Sequence, residues 1–172
     1  MSQYKRHYQQ GGHYFFTLVT HDRKPLLTQP ENVAHIKNAI QKVKQEHPFN
    51  LEAIVLLPDH LHCIWKLPKN DHDFSTRWRL IKRYVSIEID APINNRNEKQ
   101  IWQRRFWEHC IRDEEDWQTH MDYIHYNPVK HGYVTAAKEW PHSSFNYWMQ
   151  QGLYDDHWGS TEPSSIVQME IE

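Results

Sequence analysis

The stretch "LEAIVLLPDHLHCIWKL", residues 51–67, decides the fold. Its first half, Leu51–Leu57, is aliphatic and β-branched, and its second half, His60–Leu67, has the same character. Only Pro58 and Asp59, a turn-forming pair, separate them. Two strands with so short a joint are antiparallel neighbours. Upstream, Val33, Ile36, Ala39 (or Ile40) and Val43 recur at helical spacing between Pro30 and His47, and Pro48 stops that helix. Further upstream, "HYFFTLVT" (His13–Thr20) follows a Gly-Gly pair and reads as a strand. Downstream, Phe74, Trp78, Ile81 and Val85 form the apolar stripe of a helix from Asp73 to about Ala91. A polar loop, residues 92–100, leads to a strand around "RRFWEHCIR" (104–112). The order strand, helix, strand, strand, helix, strand specifies an α+β fold: a ferredoxin-like four-stranded antiparallel sheet with helices on one face. A third helix, Asp113 to about Asn127, is added to that pattern. "HSSFNYWMQQG" (142–152) predicts a short helix. The expected organisation is one domain over residues 1–148 and an acidic C-terminal tail over 149–172.

Of the 172 residues, 38% are hydrophobic, but aromatics reach 13%, which argues against a disordered chain. Two cysteines, Cys63 and Cys110, are too few for a disulfide framework and fit a reducing compartment. The N-terminus "MSQYKRHYQQ" has no apolar run, and no segment approaches the roughly 18 apolar residues of a membrane span. The expectation is a cytoplasmic protein with no membrane partner. The net charge of −2 conceals segregation: residues 1–50 carry +4 and 66–112 carry +5, whereas 113–172 carry −9. A basic front with an acidic end is a pattern of nucleic-acid binding, although a solvated acidic helix and tail would produce it too.

His60 and His62 flank Leu61, so alternation along a strand sends both to one face, while Leu61, Cys63, Trp65 and Leu67 go to the other. A His-x-His pair can share a metal ion, yet on its own it is as well explained by a surface strand. The third helix adds to it. Asp113 suits an N-cap, and Glu114, Glu115 and Asp116 suit the positive end of the helix dipole. At about 100° per residue, Trp117, Met121 and Ile124 form a buried stripe, while Tyr123 and Asn127 share a different face. If that face looks toward the histidines, Asn127 could complete a metal shell with Tyr123 one turn away as nucleophile. Such an ion would polarise a phosphodiester, and an attacking phenolate would form a phosphotyrosine. Tyr126 lies about 60° round the helix from Tyr123 and competes as nucleophile on geometry alone.

Together, "GGHYFFTLVT", "LPDHLHCIW", "IWQRRFWEHCIRDEEDW" and "DYIHYNPVKHGYV" resemble the REP-associated tyrosine transposases, a branch of the HUH single-tyrosine transposases, from about Tyr4 to Trp148. The resemblance implies a divalent-metal-dependent (Mg²⁺ or Mn²⁺) nuclease and strand transferase acting on single-stranded DNA with REP hairpins. It implies His60 and His62 as the HUH pair and Tyr123 as the residue forming a 5′-phosphotyrosine and releasing a 3′-OH. Asn127 stands where the family's helix supplies its third metal ligand. A nucleoid-associated location and a monomer rather than a dimer are expected with it. A domesticated, non-cutting hairpin-binding module, a structural zinc protein and a relaxase- or replication-initiator-type HUH nuclease are the competing readings.

For DNA contacts the expected cations are Lys5 and Arg6 in an N-terminal arm, Arg77, Arg79, Lys82 and Arg83 on the second helix, Arg104 and Arg105 before the fourth strand, and Lys130 and His131 beyond Asn127. Trp102, Phe106, Trp107 and Tyr133 are candidate stacking surfaces for unpaired bases, with core packing as the alternative. The acidic end (Asp155, Asp156, Glu162, Glu170, Glu172) is expected to compete with DNA for the basic surface, so that truncation after Trp148 raises affinity.

Overall fold

The computed structural model describes residues 6–169 and 171. In chain order it contains β1 (His13–Val19), α1 (Pro30–Glu46), β2 (Asn50–Leu56), β3 (His60–Lys66), α2 (Phe74–Glu88), β4 (Trp107–Cys110), α3 (Glu114–Lys130) and α4 (Phe145–Gln150). The strands form one antiparallel sheet in the order β2-β3-β1-β4, the ferredoxin-like arrangement. Pro30 starts α1, where its missing N–H costs nothing. Asp73 and Asp113 cap α2 and α3 by accepting from the backbone N–H groups of Thr76 (2.9 Å) and Asp116 (2.8 Å).

Alternation sorts the sheet into two faces. Tyr14, Phe16, Leu18, Leu61, Cys63 and Trp65 point toward α1 and α2 and form the larger apolar core with Ile36, Val43, Phe74 and Trp78. Phe15, Val55 and Ile64 point the other way and pack under α3 with Met121, Tyr123 and Ile124.

Three details differ from the sequence expectation. The fourth strand is short, because only Trp107–Cys110 pairs with β1. Ahead of it the Lys82 ammonium donates to the carbonyls of Gln103 (2.7 Å) and Arg104 (3.4 Å), which draws that segment toward α2 and out of the ladder. The third helix does not stop at Asn127: Pro128 lies inside it, and the chain turns at Gly132, whose φ of +73° suits glycine. Nor does α3 have a single buried stripe. Trp117 is only half-buried, its indole donating to the Glu52 carboxylate at 2.9 Å, whereas every residue from His120 to Pro128 is buried.

What buries the outer side of α3 is the chain beyond it. Tyr154 packs against Phe145 and Ala137, Ile166 joins the α3 core, and the Ser165 hydroxyl donates to the Asp122 carboxylate at 2.7 Å. Truncation after Trp148 would therefore strip core side chains as well as charge. Asp155, Asp156 and Glu162 are exposed, and Asp156 pairs with Lys138 at 3.0 Å. Glu170 and Glu172 lie outside the described residues.

The outer edge of β2 is closed by the same part of the chain. The amides of Ile54 and Leu56 donate to Ser144 Oγ and to the His142 carbonyl. The carbonyls of Glu52, Ile54 and Leu56 accept from the Trp148 indole, the Ser144 amide and the Trp140 indole.

Candidate active site

His60 and His62 sit on β3 facing α3, both almost completely buried. Their ring centres are 5.0 Å apart. Each is oriented through Nδ1 by a neighbour. The Asp59 carboxylate can only accept, so at 2.7 Å it fixes His60 as the Nδ1–H tautomer and makes Nε2 its ligating nitrogen. Thr17 lies directly across the sheet from His62, and its hydroxyl is 2.8 Å from His62 Nδ1. Metal-binding histidines are commonly oriented in this way.

Asp59 is itself tied to Arg23 at 3.0 Å. Burial pushes its carboxyl up, but the hydrogen bonds from His60 and Arg23 outweigh that and hold it below its ordinary value, as an anion facing the imidazole. Sequence reading did not single out Asp59 or Arg23. The available signal was Asp59 itself: a carboxylate directly preceding a His-x-His strand can turn back onto the first imidazole.

The Tyr123 ring lies 5.2 Å from that of His62, edge to face, and the Lys130 ammonium sits 4.8 Å from its centre. Tyr126 takes a different course. It packs edge-on to Trp158 and against Gly159, on the C-terminal side of the helix. Burial and the Glu162 carboxylate both push its phenol up. The His131 ring is 5.2 Å from that of His60. One turn beyond Tyr123, Asn127 is fully buried, and neither its amide nitrogen nor its amide oxygen has a hydrogen-bond partner among the described residues. An orphaned buried amide is costly, so an oxygen-seeking cation is a fitting partner. Two Nδ1-anchored imidazoles and this amide form a donor set that fits a divalent ion.

A second group of ligating atoms was not anticipated. His109, Asp116 and His120 bring one donor each within 4.8 Å of one another, so they too could hold a metal ion. Asp116 is already heavily engaged: His109 Nε2 (2.8 Å), the Arg112 amide (3.0 Å) and the Arg112 guanidinium (3.2 Å) all reach one carboxylate oxygen. Burial alone would raise its carboxyl, but these donors outweigh it and bring the group down to about 2. The His109 and His120 rings stack 4.6 Å apart at 15°. Parallel rings direct their in-plane lone pairs alongside each other, so a hydrogen-bonded network explains this cluster better than an ion.

The expected DNA-facing cations among the described residues separate into five groups. Arg77 is 2% exposed, and its guanidinium donates to the carbonyls of His47, Asp73 and Pro48 and to the Asp71 carboxylate. It clamps the start of α2 to the end of α1 and cannot reach a phosphate. Arg79, Lys82, Arg83 and Arg104 line a groove of about 630 Å³ with Trp102 and Phe106. Burial, aided by Arg6, lowers the Lys82 ammonium to about 8. Arg105 instead joins Arg23 and His60 around a separate cavity. Lys130 and His131 lie at the end of α3. Arg6 is folded against the domain, 4.0 Å over the Phe106 ring and 3.8 Å from Glu108; Lys5 lies outside the described residues. Of the stacking candidates, Trp107 and Tyr133 are exposed, Trp102 is buried and Phe106 is half-buried.

A ferredoxin-like sheet with a histidine pair on β3 and a tyrosine-bearing helix across it defines the class of single-tyrosine transposases. Residues 8–127 match the family "Transposase IS200 like", and the chain belongs to that family of tyrosine transposase enzymes. It is 46% identical over 160 residues to the REP-associated tyrosine transposase of Escherichia coli (strain K12), covering 92% of this chain and 91% of that one. A solved structure of a REP-associated tyrosine transposase bound to a REP hairpin superposes with a TM-score of 0.81 at 44% identity, over 96% of both chains. No helix among the described residues is long and apolar enough to cross a membrane.

Proposed function

We propose that the protein cuts and rejoins single-stranded DNA beside REP-type hairpins, with Tyr123 as nucleophile and a divalent ion held by His60, His62 and Asn127. The observation that carries this reading is the Tyr123 ring 5.2 Å from His62, with the unpartnered Asn127 amide one helical turn on. The 44–46% identity to REP-associated relatives, one of them solved with a REP hairpin, supports the choice of substrate.

Bound there, Mg²⁺ or Mn²⁺ would act as a Lewis acid on the scissile phosphodiester. Tyr123 Oη attacks phosphorus in line. The phenol proton passes to solvent, the P–Oη bond forms, the P–O3′ bond breaks, and the 3′ oxygen takes up a proton from solvent to become a 3′-OH, with the 5′ phosphate now on tyrosine. The phosphotyrosine conserves one phosphodiester-like bond, so a later 3′-OH can reverse the step without a further energy source. Asp59 and Thr17 keep the imidazoles in register, and the Lys130 ammonium over the ring steadies the negative charge of the attacking phenolate. Arg79, Arg83 and Arg104 would take the DNA backbone through the groove beside α2.

The test uses labelled hairpin oligonucleotides with single-stranded flanks, in Mg²⁺ or Mn²⁺, resolved on a denaturing gel. The wild-type protein should give a metal-dependent covalent protein–DNA band. Tyr123→Phe should lose it by several orders of magnitude, and His60→Ala should lose it too. A band that persists in Tyr123→Phe would transfer the role to Tyr126. Tight hairpin binding with no cleavage in either metal would replace the enzyme reading with a binding module.

A further inference from the structure

Beside His60 lies a cavity of about 380 Å³ to which the reaction above assigns no part of the DNA; its lining includes Thr17, Arg23, His60, Arg105 and Trp107. We infer that this cavity is a nucleotide subsite: Trp107 stacks on one unpaired base next to the scissile phosphate, and Arg23 and Arg105 hold the adjoining backbone. The inference rests on the proposed function and specifies how the strand is positioned there.

Three observations carry it. Trp107 is 39% exposed although it belongs to a strand of the central sheet, and its ring is steadied by Phe15 edge-on at 5.8 Å and by His109 in parallel at 6.0 Å. An indole that is both oriented and open to solvent is a stacking platform for any base. The second observation is charge. Two guanidiniums border an otherwise largely apolar cavity, the combination a base with its phosphate requires.

The third is backbone strain. Asp22 and Arg23 both have positive φ, +53° and +51°, a conformation that costs a non-glycine residue roughly 1–2 kcal/mol. The turn is held in place by the Thr20 hydroxyl, which reaches the carbonyls of Lys24 and Asp59. Its result is to bring Arg23 to the cavity with one guanidinium N–H on Asp59, the carboxylate that orients His60. Phosphate contact at Arg23 would thereby be linked to the position of a metal-ligating imidazole. The cavity size falls within the roughly 300–1,000 Å³ of small-ligand clefts.

The experiment is a protein–DNA double-mutant cycle in the Tyr123→Phe background, which prevents cleavage. A hairpin oligonucleotide with single-stranded flanks carries one abasic site, walked through the flank position by position. One position should weaken binding by about 5- to 100-fold. Trp107→Ala should weaken the intact oligonucleotide by a similar factor and abolish the effect of that abasic site, while Trp107→Phe keeps most of it. Arg23→Ala should lower the salt-dependence slope by about one and leave the abasic effect intact. If every abasic site costs the same with Trp107 and with alanine, the subsite is refuted while hairpin binding stands. If no hairpin oligonucleotide binds even at low salt, the functional reading falls and the subsite with it.

Discussion

On the α1/α2 side of the sheet, Trp65 and Trp78 stack 4.2 Å apart, Phe49 and Phe16 close on Trp65, and buried polar side chains, among them Asn32, Arg77 and Glu108, are fewer than on the other face. On the α3 side, at equal depth, lie Thr17, His60, His62, Asp116, His120, Asp122, His125 and Asn127. One sheet therefore carries two cores of different chemistry. Burying polar groups costs free energy unless each is partnered, and most of these are: His62 by Thr17, His60 by Asp59, His120 by the Asp116 carbonyl, His125 by Tyr154 and Ser144. Asn127 is the exception. The apolar face supplies stability, and the polar face keeps chemical groups in fixed positions.

The largest expected effect breaks the stable face. Trp78→Ala should destabilise the protein by about 3–5 kcal/mol in urea unfolding; a loss under 1 kcal/mol would mean that this face is not the main core. Next comes Arg77→Ala, which leaves the His47, Pro48 and Asp73 carbonyls without their donor and should cost about 2–4 kcal/mol without altering the salt dependence of DNA binding. Arg79→Ala should do the reverse, changing stability by no more than about 0.5 kcal/mol and lowering the salt slope by about one.

The polar face should reveal itself through pH. The Asp116 carboxyl is held at about 2 in the fold against about 3.9 in an unfolded chain. Its contribution is full above the unfolded value and is lost as pH falls from about 4 toward 2. Urea unfolding from pH 5 to pH 3 should show wild type losing roughly 1–2 kcal/mol relative to Asp116→Asn; parallel curves would mean the His109–Arg112 bonds do not form. One effect on this face has the opposite sign. Asn127→Leu removes an unpartnered buried amide and should raise stability by about 1 kcal/mol, a few degrees in melting temperature, while metal-dependent cleavage is lost. A fall in melting temperature would show that the amide contributes to the fold.

Much of the framework was legible because its signals are local. The Pro58–Asp59 joint, the alternation through His60 and His62, and the helical spacing of Phe74, Trp78, Ile81 and Val85 each need only a few residues of context. The all-round burial of α3 was not legible. A single stripe of Trp117, Met121 and Ile124 assumes one partner surface, and the second partner, from Phe145 to Ile166, is supplied by later chain whose few apolar residues follow no regular period. Pro128 misled for a similar reason, since a proline is a stop signal in isolation but is tolerated where packing on both sides holds the helix. Arg77 looked like any other cation of a basic stripe. Only the tertiary fold turns the His47 and Pro48 carbonyls toward it. The Asp59–Arg23 arm depends on two positive-φ residues that carry no glycine to announce them.

The closed edge of β2 has a consequence for life at high concentration. A bare outer strand invites a second chain to zip onto it, the first step toward fibrils. Here the outward carbonyls of Glu52, Ile54 and Leu56 and the amides of Ile54 and Leu56, which a newcomer would need, are occupied by Ser144, His142, Trp140 and Trp148. The opposite edge, β4, offers four residues. Loosening residues 140–148 would therefore expose a template for self-association, and Ser144→Pro, which deletes both the hydroxyl and the amide, should turn a dispersed enzyme into one that aggregates with time.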